Sequence, residues 1–304
     1  MKIIVFGSNG LVGQSLKRSL SKNNAFQCNF STRHDTDLFS FEQTQKTITD
    51  FKPNLIINAA AKVGGIHANN TYGSSFLIEN LKININILES IIPFPEIKLI
   101  NLGSSCIYPV NAANPIKEDY FMTGKLEPTN SPYALAKISG IELGKTLKKE
   151  YGHSVVNLMP TNLYGPNDNF SEMSSHVIPG LIHKMHLAKE RKDHTFSIWG
   201  TGTPLREFLH VDDLAKGIMF INNNNITDDL INIGSGVEIS IKKLAEKIQK
   251  IVGFEGKLDF DKNMPDGNPR KLLDSSKIKS YGWSPEINLD VGLSSAYNWY
   301  KEHI

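Results

Sequence analysis

Tyr133 and Lys137 stand four residues apart, which puts them on one face of a helix, one turn from each other. An ammonium lying near a phenol stabilises the phenolate. It brings a group with an ordinary pKa of ~10 closer to acid–base use at neutral pH. Helices produce such a pair by chance, so its weight comes from two other stretches. One is Gly7-x-x-Gly10-x-x-Gly13 at the start of the chain; the other is Gly103-Ser104-Ser105-Cys106, between the glycines and the Tyr–Lys pair. Together the three make one site, to which the upstream chain delivers a cofactor.

The elements that must position these groups follow from the pattern. Lys2–Phe6 is a run of β-formers ending in Gly7, and Leu11–Leu20 has helical spacing. Strand, glycine turn and helix in that order make a dinucleotide site. The first glycine permits the turn, the second admits the pyrophosphate, and the third lets helix and strand pack closely. Ser8, Asn9, Leu11 and Val12 fill the turn and open the helix, whose unpaired N–H groups and positive dipole end suit a phosphate. A second strand is expected at Phe26–Phe30. NAD-selective sites carry an acidic residue at its end, where this chain has Ser31-Thr32-Arg33. Arg33 suits a 2′-phosphate and argues for NADP, with Asp37-Leu38 as an adenine-edge contact. Leu55–Asn58 reads as a buried parallel strand running into Ala59-Ala60-Ala61, small residues that leave a cofactor room at Ala60. Lys62 to Asn70 reads as a flexible glycine loop facing the substrate, and Glu79–Ile92 as a helix with Asn80 and Asn84 one turn apart. Lys98–Leu102 is a strand opening directly into Gly103-Ser104, and Leu102 and Gly103 join the cofactor contacts. Ser154–Met159 is a further strand, leading to Pro160, Thr161, Asn162 and Leu163 on the cofactor side.

This alternation predicts an α/β fold: a doubly wound parallel-sheet Rossmann domain over 1–165 plus about 204–236, with a smaller α/β substrate-binding lobe over about 166–203 plus 237–304. From Asn167 to Trp199 the alternation is lost, and the chain is expected to enter the second lobe there. Arg206–Leu214 reads as a strand feeding a helix with Asp212 or Asp213 as N-cap. Ile231–Gly234 suggests a short strand, Ile239–Val252 an amphipathic helix, and the remainder lobe and loop. The 304 residues, 40% of them apolar, can fill a real core. The balance of 33 Lys+Arg against 31 Asp+Glu points to neither a nucleic-acid nor a membrane surface. Two cysteines, Cys28 and Cys106, provide no disulfide framework and no metal cluster. With no signal-peptide core and no apolar run long enough to span a bilayer, a soluble cytoplasmic protein is expected.

Longer stretches are more specific than a fold signature. They include Ala59-Ala60-Ala61-Lys62-Val63-Gly64-Gly65-Ile66, Gly103-Ser104-Ser105-Cys106-Ile107-Tyr108-Pro109 and Leu126 through Tyr133-Ala134. Further on are Met159 through Pro166, Trp199-Gly200-Thr201-Gly202-Thr203-Pro204, and Pro265-Asp266-Gly267 through Pro269-Arg270-Lys271 to Asp274. On these the chain resembles, over essentially its whole length, the extended short-chain dehydrogenase/reductase family, in its branch acting on GDP-linked 4-keto-6-deoxy sugars. The resemblance implies epimerisation of GDP-4-keto-6-deoxy-D-mannose at carbons 3 and 5, then hydride delivery from NADPH to carbon 4. Both stages place negative charge on the ketone oxygen. Ser104 and Tyr133 are implied as donors to it, with Lys137 acting on Tyr133 and on the nicotinamide ribose. Cys106 and His176 are implied as the epimerisation base and acid. Nothing local separates His176 from His183 or His186; the match of Ser175-His176-Val177-Ile178-Pro179 selects it, also as a cofactor neighbour. Positive charge near Cys106 is expected to help supply its thiolate. For GDP the family pattern implies Lys184, Arg206 and Lys271 as cations for the diphosphate. Trp199 is implied for stacking or lining, and Asp266 for hydroxyl or base edges. It also implies a homodimer through a four-helix bundle built from Glu79–Ile92 and Tyr133–Tyr151. Ser105, where a 4,6-dehydratase has Glu beside the catalytic Ser, counts against that rival; a tightly held NAD would mark a 4-epimerase. The intact Ser104, Tyr133 and Lys137 argue against a non-catalytic NADP-binding regulator.

Overall fold

The computed structural model describes residues 1–172, 174–264 and 266–303, and side chains throughout these except those of Ile66 and His67. Pro265 and the side chain of His67, both within stretches read above as loop, lie outside what is described.

The first half alternates strand and helix. β1 (Lys2–Phe6) leads into α1 (Leu11–Leu20), β2 (Gln27–Ser31), α2 (Phe41–Phe51) and β3 (Leu55–Asn58). A short α3 (Ile66–Thr71) and a long α4 (Gly73–Ile91) precede β4 (Lys98–Leu102), and α5 (Ser131–Tyr151) returns the chain to β5 (Val155–Pro160). β6 (Asn162–Tyr164), α6 (Val177–Glu190), β7 (Thr195–Trp199), β8 (Leu205–His210), α7 (Val211–Asn223) and β9 (Leu230–Ile233) follow. The last part holds β10 (Glu238–Ser240), α8 (Ile241–Val252), β11 (Lys257–Asp261), β12 (Arg270–Lys271), α9 (Ser276–Ser280) and α10 (Leu289–His303).

Six strands form one parallel sheet in the order β2-β1-β3-β4-β5-β9. Its inner strands are largely apolar on both sides because both faces are covered. Ile3 and Val5 join Leu55, Ile57, Leu16, Leu214 and Ile218 in a core on one face. The alternate residues Ile4, Phe6 and Ile56 pack with Ile48, Ile83, Ile87 and Leu147 on the other. A second core gathers Ile182 and Met185 of α6, Phe196 and Ile198 of β7, Phe208 of β8, Leu244 and Ile248 of α8, and Tyr297 and Tyr300 of α10. β8 stands between β10 and β12 and also pairs with β6, while β11 pairs with β7. Ile278 and Trp283, near the end of the chain, pack into the first core.

Several expectations need correction. The segment Lys62 to Asn70 is not all loop, since α3 begins at Ile66. α4 starts six residues earlier than Glu79. The segment Asn167 to Trp199 holds a 14-residue helix and a strand. The N-cap of α7 is His210, whose Nδ1 accepts from the Asp212 backbone N–H at 3.2 Å. Asp212 instead accepts from Arg18 at 2.7 Å and Ser15 at 2.6 Å, and Asp213 accepts from the Ile287 N–H. The final stretch contains the 15-residue α10 rather than only loop.

Candidate active site

The sheet reverses its winding between β1 and β3, and the carboxyl ends at such a point are where open α/β sheets bind ligands. Gly7 turns the chain there with φ +78°, and a Cβ on it would lie 2.6 Å from the Ala60 N. A side chain at Gly13 would overlap the Gly7 carbonyl oxygen and Ser8 Cα. Gly10 differs: the nearest atom to a Cβ there is Gly7 O at 3.5 Å, so that side of the turn is open. Gly10 is also the N-cap of α1 and offers no side chain to the first N–H groups, leaving them for an anion. Leu11, Val12 and Asn9 follow or face the same turn, and Ser8 is tied by its N–H to the Ser31 carbonyl at 3.2 Å.

Arg33 lies just past β2, exposed, with its guanidinium over the Phe39 ring at 4.9 Å. The nearby acid, Asp35, is engaged: it accepts from the Thr32 N–H and hydroxyl, which hold its carboxyl below the usual range. Among the described residues Arg33 has no salt bridge. Asp37 accepts from the Phe39 N–H, and Leu38 is buried.

At the end of β4, Gly103 leads to Ser104, which N-caps a single 3-10 turn over Ser105–Ile107 and accepts from the Cys106 N–H at 3.4 Å. That turn places the hydroxyl and the thiol side by side in sequence, with Cys106 only 6% exposed. Across from them α5 presents Tyr133 and Lys137. Lys137 is 3% exposed, donates to the Leu102 carbonyl at 2.8 Å and lies 5.7 Å from the Tyr133 ring centroid. Phe76 of α4 meets Tyr133 edge-on at 6.3 Å. Lys62 lies over Phe76 at 5.7 Å and is itself held by Glu79 and Ser75, each at 2.5 Å. No residue pattern in the chain announced this brace.

Electrostatics here run against one expectation. Burial, and then the neighbouring Cys106, push the Tyr133 phenol well up; Lys137 does not bring it down. The reason is desolvation, which also drops the Lys137 ammonium to about 8. Cys106 is raised by burial, opposed first by Lys271, then by Ser104 and Lys137. The expected positive charge is therefore present, but burial outweighs it. Lys271 is lowered by burial and sustained in part by Cys106. Tyr133 and Lys271 each keep some accessible surface. His176 N-caps α6, is solvent-accessible, and still has its pKa lowered by surrounding protein.

The other predicted residues fall into two groups. Pro160 and Thr161 are buried, with the Thr161 N–H on the Ile233 carbonyl, while Asn162 and Leu163 open β6. Lys184 reaches Trp199, 6.0 Å from its ring, and Trp199 is 66% exposed. Arg206 and Lys271 are register partners on β8 and β12. Asp266 accepts from the Thr201 N–H and hydroxyl at 2.7 and 2.8 Å, so its carboxylate holds the turn after Trp199. His183 and His186 bond Tyr300 and Tyr297 in the second core instead.

A row of buried amides was missed. Asn58 donates to Asn101 at 2.8 Å, Asn101 to Asn157 at 3.1 Å, and Asn157 to the Asp229 carbonyl. They occupy paired register positions on β3, β4 and β5. Asn84 of α4 donates to the Ala136 carbonyl, one residue before Lys137. The signal was available: each strand is a largely apolar run interrupted by one Asn.

A parallel sheet wound on both sides, with a glycine turn at its reversal and a Ser, Tyr and Lys at the end of its fourth strand, defines an extended short-chain dehydrogenase/reductase type of protein. The family model described as "NAD dependent epimerase/dehydratase family" matches residues 3–234, and the chain belongs to that family. It is 46% identical over 303 residues to GDP-L-fucose synthase 1 of Arabidopsis thaliana, covering 100% of this chain and 94% of the relative. Among solved structures it is similar to a GDP-6-OMe-4-keto-L-xylo-heptose reductase from C. jejuni, at TM-score 0.92 and 32% identity, covering 100% of this chain and 98% of the other. It is also similar to a GDP-L-fucose synthetase from Naegleria fowleri bound to NADP, at TM-score 0.89 and 26% identity over 99% and 94% of the two chains.

Proposed function

We propose that this chain converts GDP-4-keto-6-deoxy-D-mannose to GDP-L-fucose, by epimerisation at carbons 3 and 5 and NADPH-dependent reduction at carbon 4. The observation that carries this reading is the crowding of one thiol, one phenol and two ammoniums, Cys106, Tyr133, Lys137 and Lys271, around the end of β4. Simple ketone reduction has no use for the thiol.

NADPH supplies the hydride. Gly7 to Gly13 fit its pyrophosphate by the open side at Gly10 and the side-chain-free N-terminus of α1, and Arg33 fits a 2′-phosphate. In the first stage Tyr133 and Ser104 donate to the ketone oxygen, so that electrons released by loss of an α proton collect there as an enolate. Cys106 removes that proton as thiolate, its charge balanced by Lys271 and Lys137, and His176 returns one to the opposite face. Burial lowers the His176 pKa, which makes its imidazolium the stronger acid and so a ready proton donor to the carbanion carbon. In the second stage the Tyr133 hydroxyl gives its proton to the oxygen at carbon 4. A phenol pushed up by burial stays protonated until the more basic alkoxide forms, and Lys137, lowered to about 8, can then reprotonate the phenolate left behind.

Residues 1–165 plus about 204–236 hold the cofactor, and about 166–203 plus 237–304 hold the GDP-sugar. Lys184, Trp199, Asp266 and Lys271 belong to the latter, and Arg206 joins them from the former as the register partner of Lys271. A homodimer through α4 and α5, in the cytoplasm, belongs to the same reading, and the exposed Ile78, Ile85 and Leu135 on these packed helices favour the pairing. Among the described residues no helix is long and apolar enough to cross a membrane. The test is incubation of the protein with GDP-4-keto-6-deoxymannose and NADPH and NMR identification of the product. GDP-L-fucose is expected; a GDP-6-deoxy sugar without inversion, or no NADPH oxidation, overturns the assignment.

A further inference from the structure

Glu207 is fully buried, next to Arg206 on β8, and its carboxylate faces no salt-bridge partner among the described residues. One oxygen accepts from the Gly236 N–H at 2.6 Å, the other from the Leu273 N–H at 3.1 Å. Its main-chain carbonyl accepts from Asn162 at 2.9 Å and from the Thr161 hydroxyl at 3.2 Å. One residue thus ties together the β5–β6 junction, the loop after β9 and the segment carrying Lys271. Asn114 adds a second tie to that segment, its Oδ1 accepting from the Leu272 N–H at 2.8 Å. The Ile116 N–H donates to the Leu272 carbonyl from the same side. β12 itself is only two residues long, too short to hold its own register.

We propose that Glu207 and Asn114 are positioning residues that clasp the segment Arg270–Leu273 and so present Lys271 beside Arg206 to the diphosphate of the sugar nucleotide. This rests on the reading that Arg206 and Lys271 hold that diphosphate. A carboxylate suits the place because both its oxygens accept, each from a backbone N–H. Burial pushes the Glu207 carboxyl up, and the Gly236 and Leu273 N–H groups, then Thr161 and Lys279, bring it partly back. An amide at this position has one oxygen and one N–H₂, so it can serve one of the two donors and must oppose the other.

The test measures GDP and NADPH binding by calorimetry, and steady-state kinetics, on the full-length parent, Glu207→Gln, Asn114→Ala and Arg206→Ala. The parent and all variants are compared at temperatures below their melting points. Loss of one charge-assisted bond predicts GDP binding about tenfold weaker in Glu207→Gln, with a smaller loss in Asn114→Ala. NADPH affinity should stay within about twofold, and KM for the sugar nucleotide should rise with kcat near the parent's. Asn114 is partly exposed, so its variant decides the matter if Glu207→Gln fails to fold. Unchanged GDP affinity in both variants, or equal loss of GDP and NADPH, overturns the clasp. A parent with no GDP affinity overturns the functional reading itself, whereas a parent that binds GDP, with Arg206→Ala weakened and both clasp variants normal, overturns the clasp alone.

Discussion

Two glycines three residues apart should fail in opposite ways when changed to alanine. Gly10 has φ −78° and ψ 171°, extended backbone open to any residue, and its added methyl meets nothing closer than 3.5 Å. Alanine is a poorer N-cap than glycine by roughly 0.5–1 kcal/mol, but it stiffens the unfolded chain by roughly 0.4–1 kcal/mol. The two offset, so Gly10→Ala should melt within about one degree of the parent. Gly13 is buried in α1, and its methyl would press on Gly7 O and on Ser8 Cα and C, the last at 2.7 Å. These are backbone atoms of a turn fixed by the Ser8 N–H to Ser31 carbonyl bond and by Ala60, so nothing flexible can yield. Overpacking costs about 1–3 kcal/mol, and the helix propensity of alanine returns at most ~1. Against unyielding backbone the upper end of that range applies, leaving a net ~2 kcal/mol, so Gly13→Ala should lose several degrees of Tm at ~2–4 °C per kcal/mol. Cofactor binding reverses the order of surprise. The Gly10 methyl fills the open side of the turn, where a pyrophosphate must approach the helix N-terminus. Loss of charge-assisted bonds worth ~1.5–3 kcal/mol weakens NADPH about ten- to hundredfold. Thermal denaturation without cofactor and NADPH calorimetry give both numbers. If Gly10→Ala binds NADPH like the parent, the phosphate is not held there; if Gly13→Ala melts with the parent, the close packing argument is wrong.

Cys106→Ser keeps the shape and replaces the thiol with a hydroxyl that is far harder to ionise. It should lose deuterium wash-in at both α carbons in heavy water while still oxidising NADPH slowly, and normal exchange at both carbons would shift the base role to His176. Tyr133→Phe should abolish reduction with NADPH binding intact by calorimetry, since the ring and its contact with Phe76 remain; full reductase activity would remove Tyr133 from the mechanism. Arg33→Ala should weaken NADPH by about one to two decades and leave NADH unchanged, and equal dissociation constants in variant and parent would place the 2′-phosphate elsewhere. Lys137 has a folded pKa near 8, below its unfolded value. Its charge therefore costs stability below pH 8, and stability is regained as pH rises from 8 toward the unfolded pKa of ~10.4. Urea midpoints between pH 7 and pH 9.5 should rise less in Lys137→Met than in the parent; parallel curves would show that Lys137 is not the group responsible.

The parts of the fold legible in the sequence are those where one rule acts alone. β1, the glycine turn and α1 were readable residue by residue, because a parallel strand is apolar throughout and the turn needs its glycines. α6 was not, because Ile178, Pro179, Gly180, Leu181 and Ile182 are consecutively buried, which erases helical period, and Pro179 near its start looks like a breaker although the first turn tolerates it. α10 hid for another reason: Gly292 sits inside it, where Tyr164 and His210 press against the helix. The cap of α7 went to His210 because the helix begins directly after β8, two residues before the start an Asp212 cap would give, freeing Asp212 for Arg18. At the candidate site the residue types and their spacing were visible in the chain. The direction of the Tyr133 and Cys106 shifts was not, since spacing reveals a neighbouring charge but not how deeply both partners are buried.

The amide row across β3, β4 and β5 has one more consequence, in handedness of sense. Every link donates the same way, from Asn58 toward β9, and both ends stop on main-chain groups: the Ala60 N–H donates to Asn58 at 3.1 Å, and the Asp229 carbonyl accepts from Asn157. Backbone groups cannot swap donor for acceptor, so no amide in the row can turn over without all of them failing. A strand displaced by one residue would carry its Asn to the opposite face and leave two buried amides facing apolar side chains. The row therefore works as a parity check on strand alignment, rejecting the slipped sheets that a uniformly apolar set of strands would otherwise tolerate.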